Sequence, residues 1–68
     1  MEKISKQKLK AAMLAAGIGA KTLAESAGLS QCLISKFLKD DYSTVRLPTL
    51  SRLSKVLGVP ANDLILED

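Results

Sequence analysis

The chain has 68 residues, of which 47% are hydrophobic and 25% charged, and its formal net charge is +3. A chain this short has room for a single domain, residues 1–68, and its apolar fraction is too high for a disordered tail. Because it contains no His and only one cysteine, a Ser-His-Asp triad, an internal disulfide and a zinc finger are excluded within these residues. We therefore expect neither an enzyme nor a bound cofactor or metal.

Three features of the sequence bear on its cellular location. The longest charge-free apolar stretch, residues 11–20, has about half of the roughly 20 residues that a membrane-spanning helix needs. Near the N-terminus, lysines alternate with polar residues, which does not match a signal peptide. A lone cysteine without a histidine, Cys32, is more typical of a small apolar side chain in a reducing compartment than of a nucleophile. These features predict a cytoplasmic protein that does not enter a membrane.

Two helices are predicted in the first half of the chain. Helix one follows Ser5, a good N-cap, and ends at Gly17. Its apolar residues recur at spacings of three and four: Leu9, Ala12, Met13 and Ala16. Helix two covers residues 21–27 and ends at Gly28, where a left-handed conformation has no steric penalty. Its apolar face consists of Leu23, Ala24 and Ala27.

Helix three is predicted to follow the N-cap Ser30 and to be amphipathic. Its apolar stripe consists of Ile34, Phe37 and Leu38. The other face carries Gln31, Cys32, Ser35, Lys36 and Lys39. Because a tight turn joins helices two and three, residues 20–39 have the arrangement of a helix-turn-helix.

The second half of the chain contains a predicted loop followed by two more helices. Residues 40–46 show no helical stripe, so we expect a loop that Leu47 closes onto the core. Pro48 suits the first turn of helix four. The buried face of helix four is expected to be Leu50, Leu53, Val56 and Leu57. Pro60 can open a short fifth helix, and since no strand-like alternation is present, the predicted fold class is all-α.

Two groups of residues resemble the Cro/C1-type helix-turn-helix family. The first group is Leu23, Ala24, Glu25, Ala27 to Gln31, Ile34 and Ser35. The second group is Pro48 to Leu50, Leu53, Leu57 to Pro60, Asp63 and Leu64. The resemblance implies a compact five-helix, lambda-repressor-like domain. It also implies a phage or bacterial regulator that places helix three in the major groove of DNA, often as a two-fold dimer.

The resemblance implies base contacts from the exposed side of helix three. The candidate base-contacting residues are Gln31, Cys32, Ser35 and Lys36. Gln can bond the N6 and N7 edge of adenine, and Lys can bond guanine O6 and N7. Leu33 lies off the apolar stripe, and it either touches a thymine methyl or is partly buried against helix two.

Phosphate contacts are expected from residues around the same helices. The candidates are Lys21, Thr22, Lys39, Ser43 and Arg46. Residues 1–39 contain seven lysines and two acids, a net charge of +5, whereas residues 40–68 contain three basic and five acidic residues, a net charge of −2. The basic half thus contains the motif, as phosphate binding requires. Because Asp40 and Asp41 would repel DNA, residues 40–46 form either a phosphate clamp or a solvated loop.

Three positions depart from the family pattern. Ala20 stands where a Gln commonly contacts phosphate, although backbone amides at the helix start can replace that contact. Leu38 replaces a common Glu, and Met13 lies where its basic partner would be, so we expect an apolar contact in place of an ion pair. Asp40 replaces a frequent Gly, and the connection that follows it is longer than usual.

These observations predict a sequence-specific regulator of transcription, of repressor type, that binds double-stranded DNA. One such module buries only about 600–1,000 Å² on DNA, so we expect a homodimer on an inverted-repeat operator and no small-molecule ligand. Ile65 and Leu66 are the candidate dimer contacts because three adjacent apolar residues, with Leu64, cannot all enter one small core; simple core closure is the alternative. A second function class remains open, a protein-interaction module such as an antitoxin-like or adaptor domain.

Overall fold

The computed structural model describes residues 2–66 and contains four α-helices, two strands and one 3-10 turn. In chain order these are β1 (Glu2–Ser5), α1 (Lys6–Ala16), α2 (Ala20–Ala27), α3 (Gln31–Lys39), β2 (Tyr42–Val45), α4 (Leu47–Leu57) and the 3-10 turn (Ala61–Asp63). Within the described residues, no helix has both the length and the apolar character to cross a membrane.

The helix ends lie where the capping residues predict. The Ser5 hydroxyl accepts a hydrogen bond from the Lys8 amide at 3.4 Å, and the Ser30 hydroxyl accepts one from the Leu33 amide at 3.2 Å. Gly28 follows α2 with φ +71°, the left-handed conformation that glycine adopts without steric cost. The predictions of the first four helices are therefore confirmed, with starts and ends set by local residues.

The apolar core draws on every helix and both strands. Its buried side chains are Ile4, Leu9, Ala12, Met13, Leu23, Ala24, Ala27, Ile34, Phe37, Val45, Leu50, Leu53, Leu57 and Leu64. Two predicted core positions are wrong: Ala16 is exposed at the end of α1, and Leu47 is 65% exposed and does not close the preceding segment onto the core. Val45, two residues earlier, is the residue that enters the core from that segment.

The prediction of an all-α fold is wrong in the segment that was expected to be a loop. Residues 42–45 form β2, which pairs antiparallel with β1 so that Ile4 lies opposite Ser43 and Lys3 opposite Thr44. In β2 the side chains at 43 and 45 are buried, while those at 42 and 44 are exposed. Because a serine occupies one inward position, the apolar alternation typical of a half-buried strand is missing from the sequence.

The predicted fifth helix is only the three-residue 3-10 turn. Beyond it the chain runs antiparallel along the free edge of β1 through an isolated Ile4–Ile65 bridge. The Ser5 amide donates to the Leu64 carbonyl at 2.8 Å, and the Leu66 amide donates to the Lys3 carbonyl at 2.7 Å. β1 therefore lies between β2 and the segment Leu64–Leu66. Its hydrogen bonds hold the first and last described residues of the chain side by side.

Candidate nucleic-acid interface

The turn between α2 and α3 is held by backbone hydrogen bonds. The Leu29 amide donates to the Ala24 carbonyl at 2.8 Å, and the Gly28 amide donates to the Glu25 carbonyl at 3.3 Å. These bonds satisfy the last carbonyls of α2. Leu29 is half-buried and packs against the core. The turn thus fixes where α3 begins, and Ser30 caps it one residue later.

Two buried side chains determine which face of α3 is presented outward. Ile34 and Phe37 are buried in the core. The opposite face contains the four residues predicted to contact bases, all of them exposed: Gln31, Cys32, Ser35 and Lys36. Together with Lys39 and Asp40 they line one open depression on the surface. The structure therefore brings the predicted base-contacting residues together.

The depression offers hydrogen-bonding groups of the kinds that read base edges. Gln31 has an amide that can donate and accept at once, Ser35 a hydroxyl and Lys36 an ammonium group. Asp40, which was expected to repel DNA, lines the same depression and adds an acceptor. Its position is set by the end of α3, where the Asp40 amide donates to the Lys36 carbonyl at 3.1 Å.

The start of α2 has the features of a phosphate-binding end. Lys21 and Thr22 are exposed in its first turn, and the N-cap Gly19 provides no side-chain hydrogen bond. The first helical bond runs from the Leu23 amide to the Gly19 carbonyl at 2.9 Å, so the amides before Leu23 are the ones that a helix leaves without an internal acceptor. This end also carries the positive side of the helix dipole.

Two predicted phosphate contacts in the region after α3 differ in their exposure to solvent. Arg46 is exposed at the start of α4. Ser43 is only 7% exposed, and its hydroxyl is buried without a hydrogen-bond partner. Because this hydroxyl faces the interior, the structure does not place Ser43 where it could reach a phosphate. The prediction for Ser43 is corrected on this ground: its side chain is buried on the inward face of β2.

Asp41 differs from Asp40 in having a cationic partner. The Lys6 ammonium group lies 3.4 Å from the Asp41 carboxylate, and the Lys6 amide donates to the Asp41 carbonyl at 3.2 Å. On the neighbouring strand the Lys3 ammonium group lies 5.1 Å from the centre of the Tyr42 ring. These contacts tie the segment after α3 to β1 and to the start of α1, and residues 42–45 are a strand where a loop was expected. Whether the exposed side chains of this segment bind phosphate or are only solvated stays a prediction.

Comparison with known protein families decides the identity of this arrangement. The family described as the Cro/C1-type HTH DNA-binding domain matches residues 8–66, which include the whole motif and α4. The chain belongs to the Cro/C1-type helix-turn-helix family. No curated protein and no solved structure gives a match. The Cro/C1-type membership indicates a DNA-binding regulator.

Two departures from the Cro/C1-type pattern have a structural reason. Ala20, where the family commonly has a Gln, is half-buried and packs against the core. Leu38 is likewise half-buried against the core, and Met13 is buried in it. The direct contact between Met13 and Leu38 stays a prediction, but both side chains lie in apolar surroundings where an ion pair would lose hydration.

Three remaining predicted residues lie at the margins of the Cro/C1-type domain. Leu33 is half-buried and packs against the core, as its partial-burial interpretation expects; contact with a thymine methyl stays a prediction. Ile65 is half-buried next to β1, whereas Leu66 is 39% exposed. Of the two candidate dimer contacts, Leu66 therefore has more apolar surface left to offer.

Proposed function

We propose that this protein is a sequence-specific repressor that binds double-stranded DNA as a homodimer, with α3 in the major groove. The observation that carries the proposal is the exposed depression along α3, in which Gln31, Cys32, Ser35 and Lys36 lie together. A repressor of this kind acts by occupying its operator. The α3 residues would then select the operator sequence.

Base selection is assigned to the side chains with the strongest directional groups. Gln31 lies at the N-terminal end of α3, the end that usually approaches the bases in a helix-turn-helix. Its amide can pair with adenine, and Lys36 can pair with guanine. Ser35 can bond several base edges, and Asp40 can accept from the N4 amino group of cytosine. Cys32 contributes a small, weakly polar surface between them.

Phosphate binding is assigned to four exposed residues, two in the first turn of α2, one at the end of α3 and one before α4: Lys21, Thr22, Lys39 and Arg46. Two of them, Lys21 and Thr22, act with the free amides at the start of α2. Such contacts orient the protein on the duplex and contribute most of its sequence-independent affinity. Ser43 has no part in the proposed interface because its hydroxyl is buried.

Dimerisation is proposed because one module of this size has too small an interface for strong discrimination. A single domain of this kind covers about 600–1,000 Å² on DNA, and a second copy about 34 Å away would double the base contacts. Two identical copies related by a two-fold axis recognise an inverted repeat. Leu66, with Ile65 beside it, is the proposed contribution of the C-terminal segment to the dimer.

The decisive experiment is selection from a random duplex library at near-physiological salt, where sequence-independent phosphate binding is weak. We expect an enriched inverted repeat with half-sites one helical turn apart. Gln31→Ala should relax the preference at one or two base pairs, by about 1–3 kcal/mol each. The matched control is Gln7→Ala, an exposed glutamine on α1, which should leave the selected sequence unchanged.

Other outcomes would redirect the assignment. A folded protein that enriches no sequence would contradict the repressor proposal and favour the protein-interaction module. Enrichment of a single half-site without a repeat would retain base recognition by α3 and remove the dimer. In Lys39→Ala, affinity should fall for all sequences alike, because a phosphate contact does not distinguish bases.

A further inference from the structure

The last two turns of α1 have an apolar outer side, unlike those of the other three α-helices. Their exposed residues are Lys10 and four apolar ones, Ala11, Leu14, Ala15 and Ala16. In the last two turns of α2, α3 and α4, every exposed residue is polar or charged. A helix side that faces water is ordinarily polar. The outer side of α1 therefore has the composition of a surface that is covered in an assembly.

Leu14 is the most prominent residue of this surface. It is 83% exposed, more than any other large apolar side chain among residues 2–66. With Lys10, Met13 and Ile18 it lines a shallow depression, here called the α1 patch. The α1 patch is made of other residues than the depression along α3. The proposed DNA interface therefore does not account for the exposure of Leu14.

The three lysines of α1 differ in what lies near them. The Lys6 ammonium group pairs with the Asp41 carboxylate at 3.4 Å. Lys8 lines a different depression, which also includes Asp63. Lys10 is the lysine that borders the α1 patch. A suitable occupant therefore places negative charge beside Lys10 while it covers the apolar side chains.

The carboxyl end of α1 provides negative charge of this kind. After the helix, amides donate to the Leu14 carbonyl at 3.2 Å and to the Met13 carbonyl at 3.1 Å. The carbonyls that follow, at the very end of the helix, are those that a helix leaves without an internal donor. This end carries the negative side of the helix dipole, which a nearby lysine stabilises. As described, α1 has no basic residue in its own last turn.

We propose that a second copy of this chain covers the α1 patch, with the two α1 helices packed antiparallel across a two-fold axis at Leu14. The small side chains of Ala11 and Ala15 let the helices approach closely there. Lys10 precedes Leu14 by one turn, and α1 ends two residues after Leu14. The antiparallel order thus sets Lys10 of each copy beside the carboxyl end of the other α1. A parallel pair would instead set the two lysines side by side.

This contact goes beyond the proposed dimer, whose assigned residues lie in the C-terminal segment. One pair of helices buries little area, so the contact is weak by itself. Because the two contacts use different surfaces of one chain, together they join more than two copies. We therefore expect the chain without DNA to form species larger than a dimer at high concentration.

Disulfide trapping tests the antiparallel arrangement in a Cys32→Ser chain. Leu14→Cys should give a disulfide-linked pair under mild oxidation, because residues at the two-fold axis come within disulfide reach. The matched control is Gln7→Cys, also exposed on α1. Its two copies would lie about 21 Å apart along the helices and should not link. Linking of Gln7→Cys as fast as Leu14→Cys would contradict the arrangement.

Sedimentation equilibrium tests the apolar contact in Leu66→Gln, a chain that lacks the proposed C-terminal contact. This chain should still form pairs. Adding Leu14→Gln should raise the dissociation constant at least about tenfold, because a leucine is lost on both sides of the axis. Adding Leu47→Gln, at a leucine 65% exposed on α4, is the matched control and should have no effect. Circular dichroism confirms that each variant is folded.

The same measurement tests the role of Lys10. Lys10→Glu should weaken the pair, because a carboxylate beside the carboxyl end of a helix is repelled. Lys55→Glu, on the exposed side of α4, changes the net charge equally and should leave the pair unchanged. Equal effects of the two variants would contradict the contact between Lys10 and the helix end.

The outcomes separate this inference from the proposed function. If Leu66→Gln is monomeric at all concentrations while the unaltered chain is a dimer, the α1 contact is overturned and the proposed dimer is retained. Leu14→Gln should enrich the same sequence as the unaltered chain in the library selection, because Leu14 lies outside the depression along α3. Loss of sequence selection in Leu14→Gln would place the α1 patch in the DNA interface and overturn its assignment to a second copy.

Discussion

The helix-turn-helix and the strand region of this molecule differ in how their structures are determined. In residues 20–39 each boundary has a local cause, such as the glycine after α2 and the serine before α3. In the strand region, Glu2–Ser5 pairs with Tyr42–Val45, which lies about 40 residues away along the chain. Local chemistry thus builds the candidate DNA-binding element, whereas contacts between distant segments build the sheet that supports it.

This difference has consequences for how each region tolerates change. The helix-turn-helix depends on a few side chains with strong individual roles, because α3 is oriented by two buried residues. The sheet depends on pairing in register, in which each residue contributes modestly except where it enters the core. The free energy of unfolding of variants in each region, measured by urea denaturation followed by circular dichroism, tests this contrast.

The largest effect is expected at the residue that anchors α3. Phe37→Ala should lower the free energy of unfolding by about 3–5 kcal/mol, because it opens a cavity under α3. For a domain of this size such a loss leaves much of the protein unfolded. Ser35→Ala, on the exposed side of the same helix, is the control and should change stability by less than about 0.5 kcal/mol. A small loss in Phe37→Ala would contradict the idea that α3 depends on this anchor.

A second large effect is expected in the strand region. Ile4 is fully buried and lies between β2 and the segment around Ile65. Ile4→Ala should cost about 2–5 kcal/mol, as for other buried apolar truncations. Lys3→Ala is the control from the exposed face of β1. If Ile4→Ala lowered the free energy of unfolding as little as Lys3→Ala, the strands would contribute little to the stability of the domain. The helices alone would then hold it together.

An intermediate effect is expected at the turn of the motif. Gly28 has φ +71°, and a β-carbon there would meet only the Arg52 guanidinium at 3.7 Å, an ordinary contact. The cost of Gly28→Ala therefore comes from the backbone, about 1–2 kcal/mol. Gly28→Asn should cost less, because asparagine tolerates the left-handed region better than alanine. Equal losses in the two variants would point to side-chain crowding instead.

The smallest effect has the opposite sign. Ser43 buries a hydroxyl that has no partner within the described structure, and a buried polar group without a hydrogen bond is costly. Ser43→Ala should therefore raise the free energy of unfolding by about 1 kcal/mol. Thr44→Ala, on the exposed face of β2, should give no such gain. A loss of stability in Ser43→Ala would mean that the hydroxyl has a partner, such as a buried water.

The sequence predicted most of the helical structure and the exposed face of α3, because both depend on residues close together in the chain. The turn at Gly28 and the stripe of Ile34 and Phe37 were confirmed. The errors in residues 40–47 share a cause: Leu47 was expected to close the loop, but Val45 enters the core because strand pairing orients it. The burial of Ser43 follows from the same pairing, and no local pattern in the sequence predicts it.

The sequence by itself determined where the four α-helices begin and end and which residues form the outward side of α3. Capping, glycine conformation and apolar spacing act within a few residues, so they are already present in the order of amino acids. Only the tertiary structure decided that residues 42–45 are a strand, that Ser43 is buried and that Leu66 is held at the edge of β1 while Leu14 stays exposed. These features depend on hydrogen bonds and packing between segments that are distant in the chain, whose partners no local pattern specifies.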